Sequence, residues 1–231
     1  TTWTSRTSGT SENLQGVSYG NGLFVAVGDS GTKLTSPDGT TWTSRTSGRS
    51  KKGVTYGNST FVAVGSSGTI QTSSDGVTWT SRTSGTTIHL QGVTYGNGTF
   101  VTVGLTGTIL TSSDGTTWTS RTSGTSDNLQ GVTYGNGLFV SVGDSGTILT
   151  SSDGTTWTSR SGASDALKGV TYGNSTFVAV GNSGTILTSS DGVTWTSRTS
   201  GTSDKIREVT YGNSTFVTVG DNGTILTSTD G

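Results

Sequence analysis

The segment Ser151-Ser152-Asp153-Gly154-Thr155-Thr156-Trp157 has close copies at 36–42, 73–79, 112–118 and 189–195. One further copy is divided: the sequence ends in Ser228-Thr229-Asp230-Gly231 and begins with Thr1-Thr2-Trp3, which joined complete the same heptad. Six copies of one short unit restrict the fold more than composition does. A unit of roughly 40 residues cannot bury a core alone and must stack on its neighbours.

Spacing sharpens this reading. Trp3, Trp42, Trp79, Trp118, Trp157 and Trp195 recur at intervals of 39, 37, 39, 39 and 38 residues. Each of Tyr19, Tyr56, Tyr95, Tyr134 and Tyr172 stands 23 residues before the next Trp, and Tyr211 keeps the rule when counting runs from Gly231 on to Thr1. All variation in length therefore lies between a Trp and the following Tyr, in the manner of surface loops. This agreement predicts that the two ends meet in a ring.

Within the fourth unit, Gly131-Val132-Thr133-Tyr134 reads as a first strand and Gly135-Asn136-Gly137 as a hairpin turn, because Asn-Gly accepts positive φ. Leu138 to Val142 is a second strand, Thr147 to Thr150 a third, and Trp157-Thr158-Ser159-Arg160 a fourth beyond the heptad. No helical period occurs. Four antiparallel strands per unit predict an all-β, six-bladed β-propeller; a solenoid, the alternative, needs polar caps at its ends. One domain, 1–231, is expected, with blades at about 10–47, 48–84, 85–123, 124–161, 162–200, and 201–231 plus 1–9. Residues 1–9 then supply the outer strand of the sixth blade, closing the ring by strand exchange between N- and C-termini. Five Asn-x-Ser/Thr sequons, at Asn58, Asn97, Asn174, Asn213 and Asn222, fall in these turn sequences and read first as turn chemistry.

Apolar residues are 27% and Gly 38 of 231, values that suggest disorder only where apolar residues lack a fixed interval. A net charge of −1 gives no basic field for nucleic acid. No apolar run approaches the ~20 residues of a membrane helix. Without Cys, and with His89 as the single His, neither a thiolate nor a His-based metal site is expected, nor any cofactor.

The heptad resembles the Asp-box of BNR-repeat propellers, a group that includes sialidase-type and photosystem II assembly factor-like proteins. Their pattern is Ser-x-Asp-x-Gly-x-Thr-Trp; here Gly follows Asp directly, so each copy is one residue shorter. The resemblance implies a propeller in which Asp38, Asp75, Asp114, Asp153, Asp191 and Asp230 are structural turn residues. It also raises a sialidase-like hydrolase, whose chemistry needs clustered Arg, a Tyr nucleophile with a Glu partner, and a further acid. Six of eight Arg (Arg6, Arg45, Arg82, Arg121, Arg160 and Arg198) instead recur once per unit on the outermost strand, and Glu12 and Glu208 are the only Glu. A non-enzymatic chain is therefore expected.

Differences between copies hold what functional information remains. They cluster on the face opposite the heptad: in second-to-third-strand turns at Asp29, Leu105, Asp144, Asn182 and Asp221, and in inter-blade loops at His89, Asp127 and Asp204. Such variation on a constant frame describes either a binding face or loop drift. Two residues before each first-strand Val stand Gln15, Lys52, Gln91, Gln130, Lys168 and Arg207, a ring of long donors at the channel mouth suited to an anion, a carboxylate or a polyol. Solvation of a crowded rim accounts for the same residues. Lys33 and Gln71 replace a third-strand Ile and Leu, with Lys33 expected to snorkel to water.

The near identity of the copies implies recent amplification of one blade, or engineering from one. The functional expectation is a monomeric, soluble, non-catalytic scaffold. Its alternative is a lectin-like or protein-binding module using the variable face, with a glycan or protein surface as partner and neither nucleic acid nor membrane.

Overall fold

The repeated Asn sets the first hairpin of every blade. Asn21, Asn58, Asn97, Asn136, Asn174 and Asn213 hold φ between 44° and 49°, and the Gly or Ser after each is also at positive φ. This backbone matches the twist of the flanking strands. The computed structural model describes residues 4–231, and among these the regular structure is strands joined by tight turns. Blade four is representative: Leu129–Gly135, Leu138–Gly143, Ile148–Ser151 and Thr158–Arg160 form one antiparallel sheet in sequence order. Its register places Tyr134 opposite Phe139, Phe139 opposite Ser151 and Ile148 opposite Arg160. Five such sheets and a sixth of three strands stand side by side among the described residues, each with its first strand against the first strand of the next.

Every first strand carries a bulge at the same place. In blade four Leu129 faces Gly143 and Gly131 faces Val142, leaving Gln130 as the extra residue. Gln15, Lys52, Gln91, Lys168 and Arg207 occupy the same bulge in the other blades. A bulge frees one side chain from the ladder and re-aims it.

The core lies between blades. At the junction of blades three and four, Val101, Val103 and Ile109 pack on Leu129, Phe139 and Leu149, with Trp157 at the margin. Each such buried side chain contributes about 1.5–3 kcal/mol. Close approach comes from Gly: a Cβ on Gly57 would overlap the Tyr95 ring of the next blade, and Gly20, Gly96, Gly135 and Gly173 meet Tyr56, Tyr134, Tyr172 and Tyr211 alike.

Among the described residues, residues 4–9 do not pair with the sixth blade as strand exchange between the termini would require. The sixth sheet has three strands, Ile206–Gly212, Thr215–Gly220 and Ile225–Ser228, and residues 4–9 form no strand. The first three residues, including Trp3 of the divided heptad, lie outside the described residues. Among the described residues, no packing comparable to the other junctions joins blade one to blade six. Gly212 has nothing where its five counterparts meet a Tyr ring. Val17 and Tyr19 on blade one are 63% and 58% exposed, and Val219 and Ile225 on blade six 47% and 57%. The Gly-on-Tyr contact thus recurs at five junctions and is missing between the sixth blade and the first.

Candidate functional site

The heptad turn consumes its own polar groups. Asp153 Oδ1 accepts from Ser151 Oγ at 2.9 Å and from the amides of Thr155 and Thr156 at 2.7 and 2.9 Å, while Trp157 Nε1 donates to the Gly154 carbonyl at 3.0 Å. Asp38, Asp75, Asp114 and Asp191 accept from the matching hydroxyl and amides, and Asp230 accepts from Ser228 Oγ. The backbone amides of Thr156 and Thr155, with Ser151, hold the Asp153 carboxyl down to about 2. Asp75 and Asp191 are held at about 2 by the same kinds of donors.

On the opposite face, the bulge and turn residues meet. Asp29 accepts from Asn13 Nδ2 and Gln15 Nε2 of its own blade, each at 3.2 Å, and pairs with Lys52 of the next blade at 3.2 Å. Asp144 repeats this with Asn128 and Gln130, each at 3.0 Å, and with Lys168 at 2.8 Å. Arg207 pairs with Asp221 of its own turn. Hydrogen bonds from Asn13 and Lys52 lower the Asp29 carboxyl. At Asp144 burial acts upward, but Lys168, Asn128 and Gln130 outweigh it and the carboxyl is lowered. Each bulge cation thus already has a carboxylate. Such half-exposed pairs contribute about 0–1 kcal/mol. Gln91 lies in the blade whose turn begins with Leu105, so no turn carboxylate serves it.

The inter-blade loop residues brace the turns. Asp127 accepts from Thr147 Oγ1 at 2.8 Å, and Asp204 from Thr224 Oγ1 at 2.8 Å and Asn222 Nδ2 at 2.9 Å. The His89 carbonyl accepts from the Leu105 amide at 3.0 Å. Asn182 donates its amide to the Ala166 carbonyl at 2.9 Å and keeps a buried Oδ1 without a partner. Polar clefts open between neighbouring loops; one of about 690 Å³ is bordered by Trp118, Arg121 and the hydroxyl-bearing residues Ser84, Ser120 and Ser123.

Lys33 does not snorkel. It is 0% exposed, in the first junction, and its Nζ donates to the Ser47 carbonyl at 2.6 Å and Ser47 Oγ at 3.1 Å, 5.6 Å from the Trp79 ring centre. Its position is that of Ile70, Ile109 and Ile148 in other blades, whose side chains face the next blade and not water. Lys51, at the position of Leu90, Leu129 and Leu167, is equally buried, with Nζ on the Arg49 carbonyl at 2.7 Å. Burial pushes both amines down to about 8, Lys51 with further repulsion from Lys33 and Arg49. Gln71 completes this polar junction near Gly48, its Oε1 buried and unpartnered.

Sequence reasoning placed the bulge residues and turn carboxylates in separate groups and missed that they touch. The signal was the Gly one residue after five of the six long side chains, the signature of a strand irregularity. Glu208 was missed as well. It stands where the other first strands have Gly16, Gly53, Gly92, Gly131 and Gly169. Its carboxyl lies against the Gly169 backbone, where desolvation raises it to about 7.

No protein-family profile and no curated protein sequence matches the chain. Similarity appears among solved structures. YCF48 from Cyanidioschyzon merolae superposes with a TM-score of 0.72 at 16% identity, over 94% of this chain and 82% of that one. YCF48 bound to a D1 peptide gives 0.73 at 18% identity, over 94% and 78%. The computationally designed Ika8 protein gives 0.73 at 14%, over 94% and 71%. At these identities what is shared is the fold, and the chain is a six-bladed β-propeller.

Proposed function

We propose that the chain is a non-catalytic propeller scaffold. The observation that carries this reading is the pairing on the variable face: Lys52, Lys168 and Arg207 each bind a turn carboxylate of the same fold. Apart from Gln91, the donors that a ligand at this rim would require are already engaged in holding loop to blade. The likeness to a designed propeller accords with a chain whose polar chemistry serves its architecture. Short Asp-box turns, as the sequence suggests, are structural in this reading.

A second reading is a protein-binding module. It is favoured by the structural likeness to YCF48 bound to a D1 peptide and by the variable face with Gln91 unopposed by a turn carboxylate. A panel of peptides and glycans screened by array and then by calorimetry separates the two. Silence across the panel supports the scaffold. Saturable binding that is lost in Gln91→Ala or Gln130→Ala establishes the module and removes the scaffold reading.

A further inference from the structure

The third strand of the sixth blade, Ile225–Ser228, has no outer neighbour among the described residues, whereas the third strands of the other five blades each have one. In blades two to five that neighbour is Thr-Ser-Arg. Its Arg lies opposite the first residue of the third strand, and its Nε donates to a third-strand Thr hydroxyl at 2.8–2.9 Å. An unpaired edge of this kind is a template for another strand. The same tripeptide occurs as Thr4-Ser5-Arg6, exposed and in no sheet.

Its own chain does not deliver it to that edge, because blade one stands away from blade six. Residues 7–13, between the tripeptide and the first strand, are in neither helix nor strand, and Ser8 and Thr10 form there the hydrogen-bonded turn of other inter-blade loops.

The geometry points to strand exchange between two copies of this chain: Thr4-Ser5-Arg6 of one copy adds to Ile225–Ser228 of the other as the outer strand of its sixth blade. Register with the other blades places Arg6 opposite Ile225, Ser5 opposite Leu226 and Thr4 opposite Thr227, with Arg6 Nε donating to Thr227 Oγ1. Reciprocal exchange satisfies both edges at once and gives a two-fold dimer. The copy is favoured over an unrelated partner because the edge asks for the sequence that this chain holds free. Apolar surface at the gap, Val219 and Ile225, lies beside the same edge.

Light scattering on the unaltered chain tests the stoichiometry: the expected mass is twice 23.4 kDa, falling toward one chain on dilution. The chain has no Cys. Ser5→Cys in one preparation and Leu226→Cys in another, mixed under mild oxidation, are expected to form an interchain disulfide. A monomeric mass together with an intrachain disulfide in the double variant means that the ring closes on itself, and overturns the proposal. So does a monomeric mass with no cross-link in either arrangement. Should the Cys variants misfold, removal of residues 1–9 supplies the second measurement: the mass is expected to halve, and an unchanged two-chain mass overturns strand exchange.

Discussion

Replacing Lys33 by Ile, the residue at this position in the other five blades, is expected to stabilise the protein at neutral pH. Burial shifts the Lys33 amine from 10.5 to about 8. At about 1.36 kcal/mol per pH unit, keeping that amine charged in the folded state costs about 3 kcal/mol at pH 7. Against this, the variant loses two hydrogen bonds to Ser47, at about 1 kcal/mol each. The net gain is about 1 kcal/mol at pH 7. The pH dependence is the sharper test. Below pH 8 the amine is charged in both states and the cost is complete. Between 8 and 10.5 the folded chain releases its proton while the unfolded chain keeps it, so wild-type stability rises with pH. By pH 10.5 most of the cost is gone, and the lost Ser47 bonds then make the variant the weaker protein. Urea unfolding of both chains at pH 7 and pH 10.5 measures this as a change of about 3 kcal/mol in their difference. A difference that stays flat with pH, or a variant less stable by more than 1 kcal/mol at pH 7, refutes the argument that the buried charge dominates this junction.

Gly57→Ala should cost about 1–3 kcal/mol in chemical unfolding, because its Cβ overlaps Tyr95, while Gly212→Ala at the open end should change stability by less than about 0.5 kcal/mol. Equal losses at both sites would mean that Tyr19 covers Gly212 and that the arc is closed. Thr106 holds φ 51, a strained conformation for a β-branched residue, and blade six places Asn222 at the same point with φ 54. Thr106→Asn is therefore expected to raise stability by about 0.5–1 kcal/mol, and a lowered thermal midpoint would contradict this. The carboxyls of Asp75, Asp153 and Asp191, held at about 2, stabilise the fold fully above their unfolded value of 3.8 and lose that effect as pH falls toward 2. The melting temperature should drop across pH 4 to 2, with a shallower drop in Asp153→Asn; parallel profiles for the two proteins would sink this account.

The propeller was legible because periodicity survives in the residues that pack. Trp, Tyr, Phe and the paired Val recur at fixed spacing, and Asn-Gly or Asn-Ser marks each hairpin. Closure by strand exchange is not formed by the described residues 4–9, and spacing alone could not have told this. The Tyr-to-Trp distance is kept along a joined sequence, but it does not fix whether the first blade packs on the sixth, and Gly212 lacks the Tyr ring that its five counterparts meet. Lys33 misled in a similar way. A long cationic side chain ordinarily reaches water, but its strand position faces the neighbouring blade, and Ser47 lies within reach of its amine. The channel-mouth residues lie at the first-strand bulges, and the carboxylates they meet come from turns 14 to 24 residues away, across a blade boundary for Lys52 and Lys168.

The bulge that sets Gln15 and its five counterparts apart also separates two kinds of selection. Its residue takes no part in the strand register, so its identity can change without disturbing the ladder around it. Six such positions line one rim of an otherwise near-uniform frame, and Gln, Lys and Arg already alternate among them. A repeat protein that copies its blades wholesale ordinarily copies its chemistry as well. Here one residue per blade remains individually adjustable, which makes the rim a natural starting point for evolving or grafting asymmetric recognition onto a symmetric body.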